Sequence, residues 1–233
     1  MKVPILLYHQ IATPPAKGAP FRSMYVSPAS FRRQMWLLRR LGFQGLSLRE
    51  AMPFIRGEKT GKVAAITFDD GFCNVHANAL PVLQEFGFTA TNFFVANQIG
   101  GSNEWDRPLG IAHAACMDER QIEDWLAAGN EVGSHSLDHR HLTAIGAEEA
   151  RRQILSSKFR LEQITRQPVT SFSYPYGDCS PSVRSMVKDA GYAVATGTDK
   201  RRAQAQDDMT ELPRWTIRRG DTLLHFLLKC LVR

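Results

Sequence analysis

The sequence lacks the features that would hold the chain together covalently or in a membrane. Its four cysteines lie far apart and form no Cys-x-x-Cys pair, so a zinc ribbon is set aside and free thiols in a reducing compartment are expected. No segment approaches the ~20 apolar residues of a membrane span. The apolar run in MKVPILLYHQ is too short for the core of a signal peptide. We therefore expect a cytoplasmic protein, although removal of a leader would leave the same sequence.

Linkers and familiar binding motifs are also missing. No low-complexity tract divides the 233 residues, so we expect one domain over residues 1–233. No Gly-x-Gly-x-x-Gly follows the first predicted strand, which argues against a dinucleotide fold. The net charge is +6, but no RNP, helix-turn-helix or zinc-finger pattern accompanies it, so we expect no nucleic-acid partner. The arginine pairs, such as Arg218-Arg219, and the run Lys200-Arg201-Arg202 are interpreted as solvated surface rather than as a field that draws anionic partners.

What is present is a recurring unit of helix, glycine and apolar strand. Gly42, Gly87, Gly129 and Gly191 stand where helices would end in a left-handed cap. Strands that alternate with helices predict a parallel sheet. Seven or eight units predict a closed or nearly closed α/β barrel, with an open doubly wound sheet as the alternative.

Polar residues are concentrated where the predicted strands end. The active sites of barrel enzymes lie at the carboxyl ends of the strands, so these segments are expected to share one rim. They are Tyr8-His9, TFDDG at 67–71, SHSLDH at 134–139 and SYPYG at 173–177. Adjacent carboxylates at Asp69 and Asp70 repel unless a cation intervenes, and successive strand residues point in opposite directions. One of them is therefore predicted to bind a metal and the other to face the substrate.

The two histidines His135 and His139 are four residues apart. On a helical turn their rings would share one face, as in His-Glu-x-x-His motifs. Two imidazoles and one carboxylate form a three-ligand site with room for water, which is typical of catalytic zinc. We predict a Zn²⁺ site, whose ligands would also suit Co²⁺ or Ni²⁺.

Together, TFDDG, SHSLDH and SYPYG resemble the polysaccharide deacetylase family, also known as the NodB-homology domain or carbohydrate esterase family four. The opening VPILLYHQI and the segment YVSPASFRRQMWLLRRLGFQGLSL further resemble the branch that includes poly-N-acetylglucosamine deacetylases. The resemblance implies a distorted (β/α)7 barrel with parallel strands. It also implies a metal-dependent hydrolase of linear amide bonds that removes N-acetyl groups from an amino sugar in a polysaccharide, oligosaccharide or glycolipid precursor.

The resemblance also implies roles for individual residues. Asp69 would be the general base. Asp70, His135 and His139 would be the metal ligands. The backbone N–H of Tyr176 would belong to the oxyanion hole.

The sequence departs from the family pattern at two places. The third motif usually opens with arginine, where this chain has Ser173, so Asp69 lacks its usual partner. Arg214 is the candidate substitute. For the general acid we favour His9, as in the resembled branch, over His225, which lies in the predicted terminal helix TLLHFLLKCLVR.

Tryptophans are candidate sugar contacts. Trp105 lies in a predicted loop and is the best of these, whereas Trp36 and Trp125 fall within predicted helices and are expected in the core.

Three alternatives stay open at this point. The chain could be an amidase of the same fold acting on a cyclic amide or ureide, an inactive carbohydrate-binding relative, or a nucleic-acid binder using its basic surface. The last helix would also suit peripheral contact with a membrane, but packing on the core is the favoured interpretation. The sequence does not indicate the oligomeric state.

Overall fold

The computed structural model describes residues 2–231, in which parallel strands alternate with helices. The strands are β1 (Ile5–Tyr8), β2 (Gln10–Ile11), β3 (Tyr25–Val26), β4 (Gln44–Leu46), β5 (Val63–Phe68), β6 (Thr91–Phe94), β7 (Glu131–Ser134), β8 (Ser171–Ser173), β9 (Val194–Thr196) and β10 (Trp215–Thr216). The α-helices are α1 (Pro28–Arg40), α2 (Leu48–Ile55), α3 (Cys73–Asn78), α4 (Leu80–Phe86), α5 (Glu119–Ala127), α6 (Ala147–Thr165), α7 (Pro181–Asp189) and α8 (Leu223–Leu231).

The main sheet follows the order β10-β1-β5-β6-β7-β8-β9. It is forked at β5. The first half of β5 pairs with β4, the second half pairs with β6, and β1 pairs along residues 65–68. Because a strand has only two edges, β4 and β6 must share one of them. This fork distorts the barrel.

The two ends of the strand order meet at a seam between β9 and β10. A parallel bridge joins Thr196 to Leu212, just before β10 pairs with β1. The sheet is thus a curled half-barrel covered by helices, which confirms the predicted distorted (β/α)7 barrel. The carboxyl ends of its strands point to one rim.

Helix ends follow the local signals in the sequence. Ser27 accepts a hydrogen bond from the N–H of Ser30 at the start of α1, and Ser47 forms a capping box with Glu50 in α2. Gly87 ends α4 with φ 62°, a left-handed conformation that glycine adopts cheaply. These caps set where each helix begins and ends relative to the rim.

The prediction for Trp36 is wrong, whereas that for Trp125 holds. Trp36 is 51% exposed and Trp125 is fully buried. The buried residues of α1 follow helical spacing and are Phe31, Gln34, Met35 and Leu38. Position 36 therefore points away from the core.

The terminal helix α8 buries Phe226 and Cys230, while Leu224 is exposed. Among the described residues, no helix combines the length and hydropathy needed to cross a membrane.

Candidate active site

The predicted polar residues gather around one cavity of about 310 Å³ at the rim of the barrel. His9 follows β1, the two aspartates follow β5, and His135 follows β7. The lining includes His9, Asp69, Asp70, His135, His139 and Tyr176. Residues that are up to 167 positions apart in sequence therefore meet because their strands run parallel in one curled sheet.

Three of these side chains form a cluster that suits a metal ion. One ligand atom from each of Asp70, His135 and His139 lies within 4.8 Å of the others. Asp70 Oδ1 is 3.5 Å from His135 Nε2 and 3.4 Å from His139 Nε2. His135 Nδ1 lies 2.7 Å from the carbonyl oxygen of Ser173. Donation of the Nδ1 proton to that carbonyl leaves the Nε2 lone pair facing the cluster.

A cation would supply what this cluster lacks. Asp70 Oδ1 is buried and has no hydrogen-bond partner among the described residues, and such an atom is costly to leave unpaired. Burial and the charge of Asp69 raise the pKa of Asp70, and burial lowers the pKa of both His135 and His139. Neutral imidazoles are the ligand form of histidine, and a divalent cation would stabilise the ionised carboxylate. The donor set fits a divalent metal with open positions.

The histidine pair is held by a loop, so the predicted helical turn is wrong. β7 ends at Ser134, and Ser136 and His139 have φ of 65° and 57°. These left-handed residues interrupt a helix, and Ser136 Oγ accepts a 3.0 Å hydrogen bond from the His139 N–H. Asp70 and Tyr176 also have positive φ, at 77° and 61°. Such strain is typical of functional sites.

Asp69 is paired with Arg214, a partner 145 residues away in sequence. Arg214 Nη1 and Nη2 each donate a 2.8 Å hydrogen bond to one carboxylate oxygen of Asp69. Arg214 is fully buried and Asp69 is 3% exposed. Burial raises the pKa of Asp69, but the charge and hydrogen bonds of Arg214 outweigh burial and hold that pKa well below its usual range.

The remaining donors of Arg214 are also occupied. Nη2 donates to Ser173 Oγ at 2.8 Å, and Nε donates to the Gly197 carbonyl at 3.0 Å. Nη1 also lies 3.3 Å from Thr67 Oγ1. Ser173 Oγ donates in turn to Asp69 Oδ2 at 3.1 Å. The small Ser173 side chain thus leaves space for the guanidinium of Arg214, which directly precedes β10.

Of the two candidate general acids, only His9 reaches the cavity. Its Nδ1 is buried without a hydrogen-bond partner among residues 2–231. Burial lowers the pKa of His9 to about 4. His225 is exposed on α8 and is not part of the cavity lining.

Aromatic side chains surround the histidine loop. The Trp105 ring stacks on His139 with centroids 4.9 Å apart, and the Tyr176 ring meets His139 edge-on at 4.5 Å. The exposed His141 stacks on Tyr176 at 3.7 Å. Trp105 therefore contacts His139, one of the candidate metal ligands, as well as lining the cavity.

Two basic residues of the lining were missed by sequence reasoning. Lys200 and Arg218 face the cavity, although both belong to basic runs that were interpreted as solvated surface. Only the fold distinguishes them from the other members of those runs.

This chain is similar in sequence to several known proteins. The sequence model of the family described as polysaccharide deacetylase matches residues 56–195. YxkH of Bacillus subtilis is 27% identical over 221 residues, covering 94% of this chain and 72% of that protein. The poly-beta-1,6-N-acetyl-D-glucosamine N-deacetylase of Staphylococcus epidermidis is 23% identical over 202 residues, covering 81% of this chain and 66% of that protein. The chain spans 25% of the matching peptidoglycan-N-acetylglucosamine deacetylase PgdA of Listeria monocytogenes.

A solved structure supports the fold over nearly the whole chain. The Streptococcus pyogenes deacetylase PplD superposes with a TM-score of 0.86 at 22% identity, covering 99% of this chain and 98% of that one. The family match includes Asp69, Asp70, His135, His139 and Tyr176, whereas His9 and Arg214 lie outside residues 56–195.

Proposed function

Since the chain belongs to the polysaccharide deacetylase family, we propose that it is a metal-dependent hydrolase that removes N-acetyl groups from an amino sugar. The substrate would be a polysaccharide, an oligosaccharide or a glycolipid precursor. The observation that carries the proposal is the cluster of Asp70, His135 and His139 beside Asp69 in one cavity. A cavity of about 310 Å³ is at the lower end of the range for small-ligand sites, which suits a single sugar unit.

Asp70, His135 and His139 would hold the metal, for which Zn²⁺ is the first choice and Co²⁺ or Ni²⁺ are alternatives. When bound, such an ion lowers the pKa of water and polarises a carbonyl. The Ser173 carbonyl fixes the orientation of the His135 ring through Nδ1, so that ligand is positioned before any ion arrives.

Asp69 is the proposed general base. Arg214 keeps the Asp69 carboxylate ionised. Because the pair is bidentate and buried, Arg214 also fixes the orientation of the carboxylate plane. Ser173 adds a third hydrogen bond to the same carboxylate. We propose Arg214 as a positioning residue that replaces the arginine of the third family motif.

His9 is the proposed general acid and the Tyr176 N–H a donor to the oxyanion. His9 is neutral at rest because burial lowers its pKa to about 4. It would therefore take up a proton during turnover and donate it to the more basic leaving amine. Tyr176 lines the cavity and has a left-handed backbone conformation, with φ 61°. We propose that this conformation presents the Tyr176 N–H to the negative charge that develops on the acetamide oxygen.

The test is acetate release from a panel of N-acetylated sugars, oligomers and lipid-linked precursors, with added Zn²⁺ and with a chelator. We expect release that the chelator abolishes and that Zn²⁺, Co²⁺ or Ni²⁺ restores. Turnover of a cyclic amide or ureide, without acetate release from the sugars, would show instead that the protein is an amidase. Metal binding without any turnover would assign an inactive carbohydrate-binding relative, and absence of both would refute the proposal.

A further inference from the structure

Two cations that line the cavity form no ion pair among residues 2–231. Lys200 lies in the loop after β9, and Arg218 follows β10. Both are exposed and both line the cavity. The ion pairs formed among residues 2–231 involve other cations of this region, Arg201, Arg214 and Lys229, but neither Lys200 nor Arg218.

Two nearby acids already have other partners. Asp207 accepts both hydrogen bonds from Arg201 Nη1 at 2.8 Å. Asp221 accepts from Lys229 Nζ at 2.6 Å and from the backbone N–H of Arg218 at 2.7 Å. Arg218 and Lys200 therefore line the cavity without an ion pair to either of these acids.

The positive charge is confined to one side of the cavity. β9 and β10 are the two ends of the strand order and meet at the seam, while β6 is the middle strand. The loop after β6 carries Asp106 to the opposite wall. Asp69 is neutralised by Arg214, and Asp70 would be neutralised by a bound metal. The seam side is thus a cationic wall beside the reacting groups.

This wall belongs to the same cavity as the reacting groups, because Arg218, His9 and Asp69 all line it. A substrate group beside Arg218 would therefore be near the sugar whose acetamide reacts. A planar guanidinium and a compact ammonium together suit a carboxylate or a phosphate, which can accept from both.

We propose that Lys200 and Arg218 form an anion-binding subsite, and that the substrate is an acidic amino sugar with a carboxylate or phosphate close to its N-acetyl group. The inference rests on the proposed deacetylase function and narrows its substrate class. Both side chains are at an exposed rim, so their contribution is moderate, acts on substrate binding and weakens with salt.

The experiment compares three versions of one N-acetylated disaccharide: a lactyl ether with a free carboxylate, its neutral methyl ester, and the neutral sugar with an added phosphate. Acetate release gives kcat/KM for the wild type, Lys200→Gln, Arg218→Gln and the double variant. Arg219→Gln is the matched control, since Arg219 is an equally exposed neighbour outside the cavity lining. Unfolding temperatures verify that all variants fold.

We expect the wild type to have a higher kcat/KM for an anionic version than for the ester. The anion with the higher kcat/KM, carboxylate or phosphate, identifies the group that the subsite binds. Each single substitution should lower that preference by about 2–5-fold and the double substitution by about tenfold, chiefly through KM. Arg219→Gln should leave the preference intact, and 0.5 M salt should reduce it in the wild type.

Equal kcat/KM for all three versions, or an equal effect of Arg219→Gln, would overturn the anion subsite while leaving deacetylation of the ester standing. If no version releases acetate, the proposed function fails, and calorimetric binding of acid against ester still tests the subsite. Tighter binding of an anionic version that Arg218→Gln weakens supports it, and equal binding refutes it.

Discussion

Replacing Arg214 with methionine removes the guanidinium that pairs with the proposed base. In the folded protein Arg214 is fully buried and donates to Asp69, Ser173 and the Gly197 carbonyl. Methionine has a similar length and no charge, so Arg214→Met leaves an unpaired carboxylate in the same space. We expect this variant to affect both stability and activity.

The size of the effect follows from burial. Removing one partner of a buried ion pair costs roughly 3–5 kcal/mol, because the other charge stays desolvated. Without Arg214 the main influence that opposes burial is gone, so the pKa of Asp69 rises. In the wild type the depressed pKa stabilises the fold above the unfolded-state pKa, and this stabilisation is lost as pH falls through the folded-state pKa. In Arg214→Met this contribution disappears, and the acid limb of kcat/KM moves to higher pH.

Urea unfolding and the pH profile of kcat/KM measure both effects. Activity at neutral pH should fall by about two orders of magnitude or more. Adding Asp69→Asn to Arg214→Met should restore part of the lost stability, since no buried anion then remains. The double variant Ser173→Arg with Arg214→Ser moves the guanidinium to the family position and should recover activity relative to Arg214→Met. Unchanged stability and an unshifted acid limb in Arg214→Met would refute this reasoning.

Three further predictions concern the same site. Asp69→Asn should bind Zn²⁺ with the stoichiometry of the wild type, measured by metal analysis, yet lose roughly two orders of magnitude or more in kcat; full activity would contradict the base assignment. His9→Gln should lower kcat sharply while the control His225→Gln keeps it, and the reverse result in the same acetate assay would exchange their roles. Zn²⁺ at about 100 times its Kd should stabilise the fold by about 2.7 kcal/mol. The resulting rise in Tm should be reversed by a chelator and be absent in His139→Ala. Equal rises in Tm for the wild type and His139→Ala would place the metal elsewhere.

The sequence by itself determined the helices and strands and the residues that lie at the carboxyl ends of the barrel strands. Glycines such as Gly87 end helices where a left-handed cap is needed, and alternating strands and helices predict a parallel sheet. Parallel strands bring their carboxyl ends to one edge, so the motifs after β1, β5, β7 and β8 were expected to meet. The same motifs carry the family resemblance, and that resemblance implied the distorted barrel.

Contacts between distant segments were decided by the tertiary structure. Spacing suggested a helical turn for His135 and His139, but their loop depends on a left-handed Ser136 that sequence periodicity does not encode. The solvent-facing position of Trp36 depends on which stripe of α1 meets the core. The sequence could name Arg214 only as a candidate partner of Asp69.

The Arg214–Asp69 pair shows why. Its 145-residue separation is closed only when the seam between β9 and β10 forms beside β1 and β5. Near the same seam, Lys200 and Arg218 line the cavity, whereas the neighbouring Arg201 pairs with Asp207. Charge type is a property of the sequence, but burial and partners depend on where the barrel closes.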